Sequence, residues 1–391
     1  MKFNFLVLLL CFSISLFAKE YDFINFETYV KETRTKNEFL SIIKYSKTDE
    51  NKKAIEVFEK SIDTNNKNVY LDYIYLGDLY SKNQDKNKAI SSYEESIKYN
   101  SAFAMSYYKL ANEKLCTNES ISLLNQAIQL NQKFEDAYYN LGYIYRTCII
   151  DYTKSEAIFN KLISINPNDY QPYSQLSFIY EIQKNYKKAI LFAKKAIELN
   201  KDDYYSYLNL YYIYMNTNNK KEAFIHLTKA KEILKKKDKD IEASTSLAYL
   251  YYIEGKNEQA IALYNKLLKK KLKPYLFYKI HLDLAMIYKE KEKHTLIIKH
   301  LEAIQNNKYI TNKYIIYLSS LYLSKEKNEL AKETISKIKV NNLYPDNYEI
   351  SIIYFKLKEW EKASKFISKA LEKKPYSIKA NILSFIIKML K

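Results

Sequence analysis

Histidine, cysteine and paired carboxylates could carry out chemistry, but this chain brings few of them together. The four histidines, His226, His281, His294 and His300, form no H-E-x-x-H motif and do not neighbour cysteines at metal-ligand spacing. Asp and Glu are spread as on solvated helix faces, without an evident acid–base pair. Three glycines leave no phosphate-binding loop or G-x-S-x-G elbow. We therefore predict a non-enzymatic protein without metal or cofactor, whose histidines have core or surface roles.

The composition favours a long helical protein. The chain has 391 residues, too many for one ordinary globular core, so several domains or a repeat array are expected. Apolar residues make up 47% of it, enough to fold throughout. With only 3 glycines and 5 prolines, the turns between helices should be short.

The formal net charge of +18 would suit an acidic partner such as nucleic acid or anionic lipid. Only Arg34 and Arg146 are arginine among the 63 basic residues, however. Arginine is the usual residue for bidentate contacts with phosphates and base edges. The abundance of Lys, Asn, Ile, Tyr and Phe indicates A/T-rich codons, which would produce this charge without selection for a partner. We therefore do not expect nucleic acid as the partner.

The N-terminus has the layout of a secretory signal peptide. Lys2 precedes an apolar run from Phe3 to Phe17, and Ala18 provides a small residue before a charged pair. We predict cleavage of residues 1–18 and export to the periplasm or the extracellular space. The alternative is an uncleaved segment that anchors the protein in the inner membrane. No other stretch is long and apolar enough to span a bilayer.

An internal repeat accounts for most of the remaining chain. Small residues recur at steps of 31 to 37 residues, with Ile42 and Tyr211 filling the same slot in two repeats. A tyrosine follows three residues later in nearly every repeat, and Lys114 is the exception. The small residues stand at Gly77, Ala111, Gly142, Ser177, Ala248, Ala285, Ser319 and Ser351.

A second column lies about twelve residues after the first. It is small at Ala54, Ala89, Ala189, Ala223, Ala260, Ala331 and Ala363, whereas Ser120, Ser155 and Ile297 fill it elsewhere. Four residues further on, most repeats carry a bulky residue such as Phe58, Tyr93 or Phe159. Two helices that pack closely through small residues would produce both columns.

The pattern resembles the tetratricopeptide repeat, W-x2-L-G-x2-Y followed by A-x3-F. The resemblance covers residues 35–377, although repeat 35–69 is degenerate and tyrosine often replaces the tryptophan. It implies an all-α fold: an α-solenoid of about ten stacked helix-turn-helix repeats that forms a right-handed superhelix. Residues 19–34 would form a lead-in helix and residues 378–391 a C-terminal capping helix. The best-preserved repeats are 70–103, 135–169, 170–203 and 204–240.

Cys116 and Cys148 are the cysteines of the predicted mature chain. Each follows the first helix of its repeat, and such turns are neighbours in a stacked array. The two repeats are irregular, with lengths of 31 and 35 residues. In an oxidising compartment a disulfide would form if the Cα atoms approach within about 7 Å. The alternative is two unpaired thiols, and the sequence leaves both open.

The resemblance also implies where a partner would bind, because the first helices of such repeats line a concave groove. Positions three before, one after and four after the small slot share that helix face. Large aromatic side chains there would suit a peptide partner, although the abundance of tyrosine could place some there by composition alone. The two-carboxylate clamp of the family is not matched. The candidate groove residues are Tyr108, Tyr139, Tyr143, Arg146, Phe178, Tyr205, Tyr212, Tyr249 and Tyr252.

The sequence therefore favours an exported, non-catalytic scaffold that binds peptide or protein partners in an aromatic-lined groove. One alternative is a membrane-anchored structural or assembly component of the cell envelope. Another is a cationic surface that binds an anionic polymer. The identity of the partner is not encoded in any motif of the chain.

Overall fold

The computed structural model describes residues 51–306, 311–338 and 344–390, and the regular elements in these ranges are all helical. This confirms the predicted all-α class. The signal peptide (1–18), the lead-in helix (19–34) and the first part of the degenerate repeat lie outside the described residues. The chain divides into an N-terminal unit that ends at Ala230 and a C-terminal unit that begins at Lys231.

Helices of the N-terminal unit form successive hairpins. Each pair packs together (α2 with α3, α4 with α5, α6 with α7, α8 with α9), and its second helix packs against the first helix of the next pair. The helices are α1 (Asn51–Lys60), α2 (Val69–Lys82), α3 (Lys86–Tyr99), α4 (Ala104–Glu113), α5 (Asn118–Leu130), α6 (Glu135–Ile144), α7 (Tyr152–Ile165), α8 (Tyr170–Ile182), α9 (Tyr186–Leu199), α10 (Tyr204–Asn216) and the first part of α11 (Lys220–Lys236).

The C-terminal unit repeats the same hairpin arrangement. Its final helix packs against the second helix of the last pair. That this helix caps the array stays a prediction. The helices are α12 (Ile241–Ile253), α13 (Asn257–Leu267), α14 (Pro274–Glu290), α15 (His294–Ile304), α16 (Asn312–Ser324), α17 (Asn328–Ser336), α18 (Tyr344–Lys356), α19 (Trp360–Lys373) and α20 (Ile378–Leu390).

The two columns of small residues are the contacts within each hairpin. A Cβ atom on Gly77 would meet the Tyr93 ring at 2.4 Å, and one on Gly142 would meet the Phe159 ring at 2.9 Å. Ser155 donates a 2.8 Å hydrogen bond to the carbonyl of Gly142. The small residue of one helix therefore faces the bulky residue of the other, and a larger side chain would have to displace it.

The turn between the two helices of each repeat contains one residue in the left-handed conformation. In all of these turns except that of Cys116, the following N–H bonds to the carbonyl of the repeating tyrosine, as from Asp85 to Tyr80 (2.9 Å) and from Asn185 to Tyr180 (2.8 Å), which closes the helix end. Glycine tolerates this conformation best, yet glycine stands there only once among the described residues. The positions are Gln84, Cys116, Ile150, Lys184, Asn218, Gly255, Glu292, Glu326 and Lys358.

Candidate functional site

The first helices of the N-terminal unit carry most of the predicted groove residues. We call this set the aromatic wall: Tyr108 on α4, Tyr139 and Tyr143 on α6, Arg146 directly after α6, Phe178 on α8, and Tyr205 and Tyr212 on α10.

A line of hydrogen bonds fixes successive first helices beside each other. In each case the donor stands two residues before the small slot and reaches the preceding first helix. Lys109 bonds to Asp78 at 2.9 Å, Asn140 to Asn112 at 2.7 Å, Gln175 to the Tyr139 hydroxyl at 2.9 Å, and Asn209 to the Ser174 carbonyl at 3.0 Å. We call these four donors the polar ladder. The polar ladder was not predicted from the sequence, although a polar residue at this slot in four consecutive repeats was a usable signal.

The part of the aromatic wall from Tyr108 to Arg146 is more enclosed than the part on α8 and α10. Tyr108, Tyr139, Tyr143 and Arg146 are buried, whereas Phe178, Tyr205 and Tyr212 are half-buried. Burial is the main cause that raises the pKa of Tyr139, and it raises the pKa of Tyr108 to about 12. Both phenols are therefore neutral at physiological pH and can stack or hydrogen-bond. Contact of Tyr139 and Tyr143 with a partner stays a prediction.

Arg146 occupies the middle of the wall. Its guanidinium lies over the rings of Tyr143 and Phe178, with Cζ 5.1 Å and 4.7 Å from the ring centres. The residue is only 5% exposed, and its Nε–H has no acceptor among the described residues. Burial lowers the pKa of the guanidinium from its ordinary value. The arrangement places a positive charge inside an aromatic surround.

The backbone that carries Arg146 is irregular. Residues Tyr145–Ile149 form a π-helical turn, and Asp151 bonds to the carbonyl six residues earlier rather than five. The 35-residue repeat thus has one extra residue here, which the π-turn absorbs. Turns of this kind are frequent at functional sites. The repeat length was the only signal for it in the sequence.

The same turn carries Cys148, which the structure joins to Cys116 with a Cα–Cα distance of 5.4 Å. The separation lies within the range that a disulfide requires. That the pair is oxidised in the cell stays a prediction. The bond links the turns of two adjacent repeats two residues after Arg146.

Two candidate groove residues belong to the C-terminal unit. Tyr249 is buried, with the Lys279 ammonium 5.2 Å from its ring centre. Tyr252 is half-buried and donates a 2.6 Å hydrogen bond to Glu290. The two rings meet edge to face at 6.0 Å. This pair is held by charged neighbours of its own unit.

Three segments of the chain match a known protein family. The family model for the tetratricopeptide repeat matches residues 73–103, 135–169 and 170–203. These three segments of the chain are tetratricopeptide repeats. The matched segments include α6, α8 and the π-turn, so Tyr139, Tyr143, Arg146 and Phe178 of the aromatic wall lie within them.

Several solved structures are similar to this chain. Human IFIT1, as a dimer with m7Gppp-AAAA, is 15% identical, with 88% of this chain and 83% of that chain covered and a TM-score of 0.54. A tetratricopeptide repeat protein from Parabacteroides merdae is 17% identical (65% and 98% covered, TM-score 0.47), and MamA is 24% identical (42% and 97% covered, TM-score 0.38). At 15% identity the likeness to IFIT1 shows the fold alone. The comparison with curated proteins found no match.

The helix pair α14 and α15 of the C-terminal unit contains a buried histidine pair. The Nδ1 atoms of His281 on α14 and His300 on α15 lie 3.0 Å apart. Burial, followed by the neighbouring His281, lowers the pKa of His300 to about 4. Tyr288 stacks on the His300 ring at 5.5 Å. The pair is a core contact, and in the described ranges no group of three or more His, Cys, Asp or Glu residues could hold a metal ion.

Within the described ranges, none of the helices α1 to α20 is both long and apolar enough to cross a bilayer.

Proposed function

We propose that this chain is an exported, non-catalytic scaffold that holds a peptide or protein segment along the aromatic wall of the N-terminal unit. Tetratricopeptide repeats support a role in protein–protein interaction. The observation that carries the finer proposal is the concentration of aromatic side chains around a buried arginine in the matched repeats. Aromatic side chains supply large contact area at low cost in conformational entropy.

The polar ladder supports binding to a preformed surface. It fixes α2, α4, α6, α8 and α10 in line through hydrogen bonds of 2.7–3.0 Å. A surface that is already ordered loses little entropy when a partner binds. The half-buried end of the wall, Phe178, Tyr205 and Tyr212, offers the accessible contacts.

Export is the second part of the proposal. It rests on the signal-peptide layout of residues 1–18. The proximity of Cys116 and Cys148 supports it, because disulfides persist in oxidising compartments. Fractionation combined with mass measurement of the mature N-terminus tests this part. A protein that retains residues 1–18 in the membrane fraction would favour the anchored alternative.

Binding can be tested with peptides selected by the wild-type chain from a random display library. The wall variant replaces Phe178, Tyr205 and Tyr212 with alanine. The matched control replaces three exposed apolar residues on second helices, Leu191, Phe224 and Ile225, with alanine.

We expect the wall variant to bind the selected peptides at least about tenfold more weakly, because buried aromatic anchors dominate such interfaces. The control variant should bind like wild type. Equal binding by a wall variant that melts at the wild-type temperature would contradict the proposal.

A further inference from the structure

We infer that Arg146 is the recognition point for a carboxylate, from an Asp or Glu side chain of the bound peptide. This inference rests on the proposed function and specifies its ligand. The aromatic wall contains a buried cation, Arg146, without a paired anion in the described part of the chain.

The guanidinium of Arg146 is incompletely satisfied. It is 95% removed from solvent, and in the described part of the chain no carboxylate pairs with it and no oxygen accepts its Nε–H. The groups that lie over it are the rings of Tyr143 and Phe178. Rings stabilise a cation but do not replace a hydrogen-bond acceptor. Burial of a charge in this state costs free energy.

Two enclosed lysines elsewhere in the chain, unlike Arg146, have carboxylate partners. Lys231 pairs with Glu254, and the two side chains are 12% and 10% exposed. Lys279 pairs with Asp283 at 3.5 Å, and Tyr264 also donates to that carboxylate. The fold therefore supplies a carboxylate to these enclosed cations but not to Arg146. The missing anion is what a ligand would bring.

The position of Arg146 is set by two local constraints. The π-turn Tyr145–Ile149 places its side chain against Phe178 of the next repeat. The Cys116–Cys148 link then joins this turn to the preceding repeat. Both constraints act within two residues of Arg146, so the guanidinium is held in place before a ligand arrives.

The chemistry favours a carboxylate over a nucleic acid. A guanidinium offers a planar fork of N–H donors that a carboxylate can accept in bidentate fashion. Arg146 is the only cationic residue of the aromatic wall as defined, so it can neutralise one charge. A nucleic-acid strand would present a phosphate at each nucleotide and need several cations. The aromatic neighbours would contact the apolar part of a peptide.

The test uses peptides selected from a random display library by the full chain. One strongly binding peptide is synthesised with its acidic residue and with the amide equivalent, Glu→Gln or Asp→Asn. Both forms are titrated against the wild type, Arg146→Lys and Arg146→Met. Lys154→Met is the matched control, because Lys154 also lies over a ring, that of Tyr145, but on the surface.

We expect the selected peptides to share an acidic position. The amide form should bind the wild type and Lys154→Met at least about tenfold more weakly than the acid form. Arg146→Met should bind both forms equally, and Arg146→Lys should retain part of the difference because it keeps the charge but loses the fork.

Thermal melting separates recognition from a structural role. If Arg146 serves a ligand, Arg146→Met should melt at or above the wild-type temperature, because it removes an unpaired buried charge. A lower melting temperature with unchanged discrimination between acid and amide would make Arg146 a structural cation and overturn the inference.

The remaining outcomes are also decisive. Selected peptides without a shared acidic position would overturn the inference but leave the proposed function standing. RNA that bound through Arg146 in place of acidic peptides would overturn it as well. Failure to select any peptide whose binding depends on the aromatic wall would overturn the proposed function and the inference together.

Discussion

Ile150 shows how far a single residue can depart from its preferred conformation in this fold. It lies in the left-handed region at φ +61° and is 60% exposed, so it gains little packing in return. A β-branched residue is poorly suited to that region. We expect Ile150→Gly to raise the free energy of unfolding by about 1 kcal/mol, as measured by urea denaturation.

Gly255 provides a control in which the substitution runs in the opposite direction, from glycine to a larger residue. It has φ +77°, and a Cβ atom there would meet no atom within 4 Å. Gly255→Ala should therefore destabilise the protein by about 1 kcal/mol through backbone strain alone. A loss of stability in Ile150→Gly would contradict the interpretation of the left-handed turn.

The buried pair His281 and His300 should make the free energy of unfolding depend on pH. Burial and the neighbouring ring lower the pKa of His300 to about 4, and Lys299 adds a smaller effect in the same direction. The unfolded chain, with an ordinary histidine pKa near 6.5, binds the proton more strongly. Stability from this group is therefore complete above pH 6.5 and is lost as the pH falls from 6.5 to 4, by about 3 kcal/mol.

Urea denaturation at several pH values in this window measures the effect. His281→Phe combined with His300→Phe should flatten the curve between pH 6.5 and 4. His294→Gln is the control, because His294 is exposed and lies outside the pair. A wild-type protein with constant stability over this range would contradict the prediction.

At the scale of the helix pair, the tightness of the contact at the small slot should determine how much a larger residue destabilises the protein. A Cβ atom at Gly77 would meet the Tyr93 ring at 2.4 Å, and that ring is held by a 2.7 Å hydrogen bond from its hydroxyl to Asp78. At Gly142 the contact with Phe159 is looser, 2.9 Å, and the ring has no hydrogen bond to hold it. Overpacking typically costs about 1–3 kcal/mol. We expect Gly77→Ala to destabilise more than Gly142→Ala in urea denaturation, and the reverse order would contradict this account.

The helix pairs were the most predictable part of the fold, for a physical reason. Two helices meet at Gly142 and Phe159, so the first residue must be small and the second large. Helix packing can therefore be predicted from the residue types. The turn conformations cannot be predicted in this way, because Lys184 and Glu326 adopt the left-handed conformation although their residue types do not favour it. The π-turn before Ile150 was missed because one extra residue shifts a backbone bond without changing the pattern of apolar residues.

The candidate site was predictable in position but not in burial. Helix periodicity was enough to propose a shared face for Tyr139, Tyr143 and Phe178. It did not predict that Arg146 would be enclosed between two rings, because that contact joins adjacent repeats through the irregular turn. The polar ladder was missed since its donors are ordinary surface residue types, and only their contacts with the preceding helix distinguish them.

At the scale of the whole molecule, stability should be local. Helices pack mainly on their neighbours in the chain, so each repeat depends on the repeats beside it. The Cys116–Cys148 disulfide closes a loop across two such repeats. The chain-entropy account gives a loop of this size about 3–4 kcal/mol of stabilisation.

We therefore expect reduction to act on one part of the molecule. Hydrogen exchange should accelerate in α4 to α7, which flank the disulfide, because these helices lose the link between their turns. Exchange in α14 to α20 should stay as in the oxidised protein, since those helices share no neighbour with the disulfide. The double variant Cys116→Ser/Cys148→Ser, which cannot form the disulfide, is the matched comparison for hydrogen exchange. Mass spectrometry under non-reducing conditions checks that the wild-type sample contains the disulfide. Equal acceleration along the whole chain would show that the protein unfolds as one cooperative body, and would contradict the local picture.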